Sequence, residues 1–288
     1  MGSPCEIRIE VADAARAGAI LQSVIDEVER LEDRYSRYRP HSLLSRINEV
    51  AAAGGQVTVD EETALLFDYA HACHVQSDGL FDITSGVLRE AWRFTDGGLP
   101  DEAVIEALRA RIGWHRVDWR RPDIRFPAGM EIDFGGIVKE YAVDRVCSLC
   151  LGQGVRHGLV NLGGDVRVIG ARADGSPWQV GVQHPRARAR AAASVALSAG
   201  AIATSGDYAR CKVVGGRRYG HILDPRTGWP VSFLASVTVV ADFCLVAGSA
   251  STIAMLKGEE GPAWLQALGL PHCWISVDGE CGGSLAVD

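Results

Sequence analysis

The sequence lacks a long apolar run. None of its stretches approaches the roughly 18 consecutive apolar residues that a membrane-spanning helix needs, so we expect no such segment. It also lacks an excess of basic residues: 29 Lys and Arg stand against 36 Asp and Glu, which gives a formal net charge of −7. Because nucleic acids bind basic surfaces, this balance argues against nucleic acid as a general partner.

Two further absences bear on compartment and domain organisation. The beginning of the chain carries charges where an export signal needs an apolar core. We therefore expect a cytoplasmic location for this chain, or a periplasmic one if an export segment has been removed. No repeat or low-complexity linker interrupts the 288 residues, and we predict one domain over residues 1–288.

The common nucleotide-binding motifs are also missing. No GxGxxG motif follows a predicted strand and opens a helix, and no GxxxxGK[ST] motif is present, so neither a nicotinamide-binding fold nor a P-loop is supported. Apolar spacing predicts helices over 15–36, 63–75, 100–111, 139–151, 247–255 and 262–268, with strands over 158–161, 166–170, 178–184, 194–199, 237–240 and 273–277. Helices early and strands late, without regular alternation, predict an α+β fold.

Cysteine is present but in a pattern that does not favour zinc. Of eight cysteines, only Cys147 and Cys150 form a CxxC pair, whereas a structural zinc site usually has two such pairs or one pair with histidines. On the predicted helix both thiols would lie on one face. We interpret the cysteines as buried and reduced, with a metal or disulfide role as the alternative.

The segment GHILDPRTGWP at residues 220–230 combines an imidazole, a carboxylate and a guanidinium in a short span. Its prolines and Gly228 prevent it from continuing as a helix or central strand. A rigid polar loop that carries an acid/base group in His221 is typical of a functional site. The alternative is an Asp-Pro turn followed by a Thr-Gly turn, with His221 merely hydrogen-bonded.

Several other segments accompany this loop in a fixed order. They are MGS at residues 1–3, YSRYRPHS at 35–42 with SRIN at 45–48, DGLFDIT at 78–84, IDFGGIVK at 132–139, NLGGD at 161–165 and ATSGDYAR at 203–210. Together with HILDPRTG, they resemble the ApbE family of FAD-dependent protein flavinyltransferases. The resemblance extends over essentially the whole chain.

The resemblance implies an ApbE-like fold, with mixed and largely antiparallel sheets, flanking helices and a flavin cleft between lobes. It also implies a reaction in which FAD binds with magnesium and a threonine hydroxyl of a partner flavoprotein attacks the phosphorus of the FMN half. AMP leaves, and FMN remains attached through a phosphoester bond. Such phosphoryl transfer depends mainly on positioning and charge neutralisation. Two alternatives stay open: a protein that binds FAD or FMN with little transfer, and a pyrophosphatase that gives FMN and AMP.

The site residues that the resemblance implies fall into three groups. The expected FAD contacts are Met1, Tyr38, Leu80, Phe81, Asp82, Asp133, Lys139, His221 and Ile222; without the resemblance, the apolar ones would be ordinary core residues. The expected catalytic residues are His221, as the base, and Asp224, which alternatively pairs with Arg226 to hold the loop. The expected metal ligands are Gly136, Ser251 and Thr252. Gly135 and Gly136 precede a helix whose free amides would attract a pyrophosphate.

Two positions depart from the family pattern. Gly248 stands where members carry a metal-binding Asp, and Glu140 stands where they carry Gly. Without a carboxylate at position 248 the remaining ligands would be neutral, so we expect weaker magnesium binding unless Asp224, Asp242 or the FAD phosphates compensate. We further expect Gly248→Asp to strengthen magnesium binding, provided that the glycine does not adopt a positive φ.

Overall fold

The computed structural model describes residues 4–94, 98–187 and 189–285. The α-helices are α1 (Ala14–Tyr35), α2 (Leu43–Ala53), α3 (Glu61–Gln76), α4 (Glu102–Arg109), α5 (Val138–Gly152), α6 (Cys244–Lys257) and α7 (Gly261–Leu268). Short 3₁₀ helices cover Ile83–Glu90, Trp114–Arg116 and Gly258–Glu260. Met1, an expected FAD contact, lies outside the described ranges.

The strands are β1 (Cys5–Ile9), β2 (Gln56–Thr58), β3 (Asp118–Arg120), β4 (Asp123–Arg125), β5 (Gly158–Leu162), β6 (Asp165–Gly170), β7 (Trp178–Gln183), β8 (Ala191–Leu197), β9 (Ala201–Gly206), β10 (Cys211–Val214), β11 (Arg217–Gly220), β12 (Leu234–Ala241), β13 (His272–Ser276) and β14 (Cys281–Gly283). Seven form the main sheet in the order β1-β5-β6-β9-β12-β13-β14, and all its pairings are antiparallel. The expected α+β fold with largely antiparallel sheets is confirmed.

The main sheet is covered on both faces because side chains alternate along each strand. On β12, Val237 and Val239 point into the larger core, which also contains buried residues of α5 and α6. On the other face, Val166 and Ile202 pack with Trp178 and other residues of the β7–β8 hairpin. Burial on both sides explains why β12 is almost continuously apolar in sequence.

A side-chain cap fixes α5 against α6. Helix α6 begins after Phe243, which cannot accept hydrogen bonds from the first amides of the helix. Asp144 of α5 accepts them instead, from the amides of Cys244 and Leu245 at 2.9 Å each. Arg167 donates to the same carboxylate at 2.8 Å. This contact sets the position of α5 relative to α6. It therefore also determines which side chains of the two helices face each other one turn away.

Several elements were not predicted from the sequence, among them α2 and β9. Helix α2 begins after Ser42, whose side chain accepts from the Ser45 amide at 2.9 Å, and it has only 11 residues, which is a short span for recognising a helical period. Strand β9 contains Ala, Thr, Ser and Gly, residues that do not favour strands. It forms because β6 and β12 pair with it on either side.

The CxxC pair lies on α5, as expected. Cys147 and Cys150 are fully buried, and this burial raises the pKa of each thiol to about 11. The expectation of buried cysteines at these two positions is confirmed. Over the described parts of the chain, the helices are too short or too polar to cross a membrane.

Candidate active site

The loop after the β10–β11 hairpin is closed by its own backbone. Leu223 bridges to Pro230, and Asp224 exchanges backbone hydrogen bonds with Trp229 and Gly228: its amide donates to the Trp229 carbonyl at 2.9 Å and its carbonyl accepts from the Gly228 amide at 2.7 Å. From outside the loop, the buried Trp92 indole donates to the Gly228 carbonyl at 2.7 Å. The loop is therefore a fixed platform.

The Asp224 carboxylate faces inward on this loop and pairs with Arg226. The guanidinium Nη2 lies 2.8 Å from Oδ2, and the Arg226 amide donates to Oδ1 at 2.8 Å. Asp224 is mostly buried, whereas the Arg226 side chain is 67% exposed. The alternative of an internal ion pair that holds the loop is confirmed. A catalytic role for Asp224 stays a prediction.

His221 opens the loop and is the most suitable base in it. Its Nδ1 lies 3.3 Å from the Arg210 carbonyl, so a neutral ring that donates there leaves Nε2 as a proton acceptor. Desolvation by the surrounding protein, followed by the charge of Arg210, lowers the pKa of His221, although the residue keeps an exposed edge. The lowered pKa favours the neutral form of the ring. Ile222, the next residue, is half-buried against the larger core and so anchors the backbone beside His221.

The TSGDY segment packs against the residue that precedes His221. Asp207 is buried and receives two hydrogen bonds from Arg186, at 2.6 and 2.7 Å. A Cβ added to Gly220 would lie 3.0 Å from Asp207 Cβ, so the residue before His221 packs tightly on this carboxylate. Burial raises the pKa of Tyr208, and the nearby carboxylates of Asp165 and Asp207 raise it further. The segment thus connects the loop to the charges around Lys139.

Tyr38 and Asp133 are brought together through Arg37. The Tyr38 side chain is exposed, at 73%, with the Arg37 guanidinium 5.1 Å from its ring centroid. Arg37 also pairs with Asp133, whose Oδ1 accepts from the Gly135 amide at 2.8 Å. An exposed aromatic face beside a cation and backbone amides suits a flavin ring joined to a phosphate. Sequence reasoning did not single out Arg37, although it stands in the YSRYRPHS segment.

The middle of the DGLFDIT segment, where the expected FAD contacts lie, is buried. Leu80, Phe81 and Asp82 are each only 5–7% exposed. The Asp82 carboxylate accepts from the Thr84 and Trp114 amides at 2.8 and 2.9 Å, so it holds the local backbone together. Phe81 packs on Gly136, where an added Cβ would lie 3.2 Å from its ring. The roles of these three residues toward FAD stay predictions.

A cleft of about 510 Å³ lies between the DGLFDIT segment and the loop. Its lining includes His74, Asp82, Arg109, His115, Pro225 and Arg226. Of the expected ligand residues it contains Asp82, whereas Lys139, Gly136 and Thr252 are not among its lining. The chemically distinctive groups therefore lie elsewhere, at the start of α5.

A buried charge cluster occupies that place. The Lys139 ammonium pairs with Asp165, the last residue of the NLGGD segment, and lies 3.6 Å from Glu140 Oε1. Burial lowers the pKa of Lys139, but Glu140 and Asp165 raise it more, so the amine stays charged. Burial raises the pKa of Glu140 to about 7. Two buried carboxylates thus share one ammonium.

A hydroxyl cluster lies on the adjoining helix. Ser205 Oγ is 2.8 Å from Ser251 Oγ and 2.9 Å from Thr252 Oγ1, while the Ser251 hydroxyl donates to the Gly248 carbonyl at 2.9 Å. Two of the expected metal ligands, which are adjacent in sequence, thus share Ser205 as a hydrogen-bond partner, and their role toward a metal stays a prediction. The structure adds Ser205, which stands in the TSGDY segment but was not predicted as a site residue. Gly136, the third expected ligand, packs on Phe81.

The two departures from the family pattern meet in space. A Cβ added to Gly248 would lie 2.4 Å from Glu140 Cγ and 3.1 Å from its Oε1. Gly248 has no positive φ, so its backbone would accept a side chain. What prevents one is Glu140, which fills the space. A carboxylate therefore lies beside position 248, and Gly248→Asp by itself would create a clash. The expectation that only neutral metal ligands remain stays a prediction.

Comparisons with known proteins show the family to which the chain belongs. The ApbE family matches residues 1–274. An FAD:protein FMN transferase of Vibrio cholerae is 31% identical over 286 residues, which cover 96% of this chain and 85% of that protein. One of Klebsiella pneumoniae is 34% identical over 252 residues, covering 84% of this chain and 75% of its own length.

Solved structures extend the agreement to the fold. The ApbE protein of Thermotoga maritima has a TM-score of 0.88 at 33% identity, covering 96% of this chain and 93% of its own. The flavinyl transferase ApbE of Pseudomonas stutzeri has a TM-score of 0.86 at 29% identity, covering 98% and 90%. The fold is that of the flavinyl transferases. The chain belongs to the ApbE family.

Proposed function

We propose that this chain is an FAD:protein FMN transferase that moves FMN from FAD to a threonine hydroxyl of a partner flavoprotein. The observation that carries the proposal is that a chain of the ApbE family holds the Lys139 charge cluster, the Ser205–Ser251–Thr252 hydroxyl cluster and a histidine, His221, whose pKa is lowered in part by the charge of Lys139. These groups supply a cation, oxygen ligands and a base, which phosphoryl transfer requires.

In this reaction the threonine oxygen forms a bond to the phosphorus of the FMN half. The bond from that phosphorus to the bridging oxygen breaks, and AMP leaves with the oxygen. The hydroxyl proton moves to Nε2 of His221, whose other ring nitrogen faces the Arg210 carbonyl. A lowered pKa favours the neutral ring that can accept this proton.

The start of α5 is suited to hold the pyrophosphate. Ile137 precedes this 15-residue helix and provides no side-chain acceptor for the first amides. The Val138 amide already donates to the Phe134 carbonyl at 2.9 Å, so the attraction for an anion comes mainly from the positive end of the helix dipole. Lys139 adds a full charge within the first turn, held in place by Asp165. Near Tyr38, Arg37 would face the flavin end of the substrate.

The oxygen donors at the α5–α6 junction fit magnesium, which prefers carboxylate, hydroxyl and phosphate oxygens. Ser251 and Thr252 would hold it together with carboxylate and substrate oxygens. When bound, the ion would neutralise charge on the phosphates. Within the described ranges, no group of three or more His, Cys, Asp or Glu side chains forms a metal site by itself. The FAD phosphates are therefore needed to complete such a site.

The test is to incubate the chain with FAD, magnesium and an acceptor domain that carries the target threonine. AMP release and flavin fluorescence on the denatured acceptor are followed together. Transfer predicts equal amounts of AMP and flavinylated acceptor, and a Thr→Val acceptor serves as the matched control. AMP released equally with the Thr→Val acceptor would identify a pyrophosphatase instead. FAD binding without AMP release would identify a flavin-binding protein.

A further inference from the structure

The carboxylate of Glu140 has too few partners for a buried charge. Glu140 is 6% exposed, and its Oε2 receives no hydrogen bond from any described residue. The nearest cation, Lys139, stands 3.6 Å from Oε1 and makes a closer pair with Asp165. A buried carboxylate in this state is costly unless another positive group compensates it.

The position of this carboxylate is set by the packing of α5 against α6. Asp144 caps the first turn of α6 through the Cys244 and Leu245 amides. One turn earlier on α5 stands Glu140, and one turn later on α6 stands Gly248. The cap therefore places Glu140 against Gly248, whose lack of a Cβ leaves room for the glutamate chain.

The space that Glu140 enters adjoins the hydroxyl cluster. Thr252 follows Gly248 by one helical turn, so a group at position 248 and the Thr252 side chain share one face of α6. The Ser251 hydroxyl bonds the Gly248 carbonyl, and Ser205 links the Ser251 and Thr252 hydroxyls. Glu140, whose Oε2 has no hydrogen-bond partner among the described residues, thus occupies the space beside Gly248, one helical turn from the Thr252 hydroxyl.

We propose that Glu140 provides the carboxylate ligand of a divalent cation at this junction, in the space that a side chain at position 248 would occupy. The Thr252 and Ser251 hydroxyls are the neighbouring oxygen ligands, and Asp165 remains the partner of Lys139. This proposal rests on the proposed function, because FAD phosphates supply the remaining ligands. Under this proposal, the carboxylate ligand comes from α5, at Glu140, and not from position 248 of α6.

The experiment uses Mn²⁺ as the probe, titrated into the intact chain saturated with FAD, with free Mn²⁺ measured by electron paramagnetic resonance. Glu140→Gln keeps the shape of the side chain and removes its charge. Loss of a metal ligand should weaken binding at least as much as loss of an outer-shell partner, by about 10- to 100-fold. Glu27→Gln is the matched control, since Glu27 is also partly buried but pairs with Arg30 and Arg145; its Mn²⁺ affinity should not change.

A second variant exchanges the two positions. Glu140→Gly combined with Gly248→Asp should bind Mn²⁺ within a few-fold of the parent, and much more tightly than Glu140→Gly alone. Gly248→Asp alone should lower the melting temperature, because its Cβ would meet Glu140 at 2.4 Å. The exchange variant also keeps the test decisive if Glu140→Gln does not fold.

The outcomes separate this proposal from the proposed function. Parental Mn²⁺ affinity in folded Glu140→Gln, or an exchange variant no better than Glu140→Gly, would overturn the role of Glu140 even if flavin transfer is observed. No Mn²⁺ binding by the parent with FAD would overturn it as well. Glu140-dependent Mn²⁺ binding without AMP release or acceptor labelling would support the metal site while the transferase assignment fails.

Discussion

The loop at residues 220–230 and the α5–α6 junction both contain carboxylates, but the partners of these carboxylates differ. In the loop, Asp224 pairs with Arg226 only two residues away, and the arginine remains largely in water. At the junction, Glu140 is buried, lacks a hydrogen bond at Oε2 and meets Gly248 from a distant part of the sequence. A charge satisfied by its neighbours serves the local shape, whereas a buried and under-satisfied charge is available to a ligand.

The expected contributions of the two kinds of ion pair to stability also differ. An exposed ion pair contributes about 0–1 kcal/mol to stability. Breaking a buried pair costs about 3–5 kcal/mol, because a charge is left without compensation. The junction is therefore the region where substitutions should have large effects on the protein itself. In the loop, large effects are expected only where a side chain takes part in the reaction.

The largest effect is expected at His221. His221→Ala should lower the transfer rate by about 10²–10⁴, the usual contribution of a general base, while the melting temperature stays the same. His157→Ala is the matched control, because the Nδ1 of His157 also bonds a backbone carbonyl, at 2.8 Å. An unchanged rate in His221→Ala would make this histidine structural.

The same residue sets an expected pH dependence. Desolvation and the Arg210 and Lys139 charges lower the pKa of His221, and Asp207 opposes them. The basic, neutral form is therefore present above the lowered pKa, and activity should fall as the pH drops through a value below 6.5. A pH–rate profile with its acid limb above this ordinary value would contradict the assignment of His221 as the base.

The next effect is expected in the junction. Lys139→Met should lower the free energy of unfolding by about 3–5 kcal/mol, since it leaves Glu140 and Asp165 without their shared cation. Chemical denaturation measures the change. Lys212→Met is the control, because Lys212 is only half-buried and, within the described ranges, bonds a backbone carbonyl, that of Gly98 at 2.8 Å, rather than a carboxylate; it should change stability by about 0.5 kcal/mol. Equal values for the two variants would mean that the cluster is solvated.

A smaller effect is expected where the loop is anchored. Trp92→Phe removes the hydrogen bond to the Gly228 carbonyl and should cost about 1–3 kcal/mol of stability. Trp178→Phe loses a similar bond, to the Gly170 carbonyl at 3.0 Å, in the β7–β8 hairpin. Both should be destabilised, but only Trp92→Phe should also slow transfer. Equal rates in the two variants would show that the loop needs no anchor.

The smallest effect is expected for the ion pair within the loop. A double-mutant cycle of Asp224→Asn and Arg226→Gln should give a coupling energy of about 0.2–1 kcal/mol in unfolding experiments. If Asp224 acts only through this pair, both single variants and the double variant should lower the rate by the same factor. A much larger loss in Asp224→Asn alone would assign Asp224 to the reaction itself and weaken the contrast between the two regions.

The sequence by itself determined the local features. Helices α1 and α3 could be predicted because each segment contains its own apolar spacing. The closed loop around Asp224 could be predicted because its hydrogen-bond partners lie within five residues. The motif order also indicated the ApbE family and named Ser251 and Thr252, which share Ser205 as a hydrogen-bond partner. It missed β9, because that strand depends on its neighbours rather than on its own residues.

Only the tertiary structure decided what the two departures mean. Glu140 and Gly248 appear in the sequence as unrelated changes, one an added charge and the other a lost ligand. Their contact depends on Asp144 capping α6, a long-range hydrogen bond that no periodicity encodes. Burial, which converts a glutamate from a solvated surface charge into an under-satisfied group, is likewise a property of the packed helices. The sequence thus specified the chemical groups, and packing decided which of them share a site.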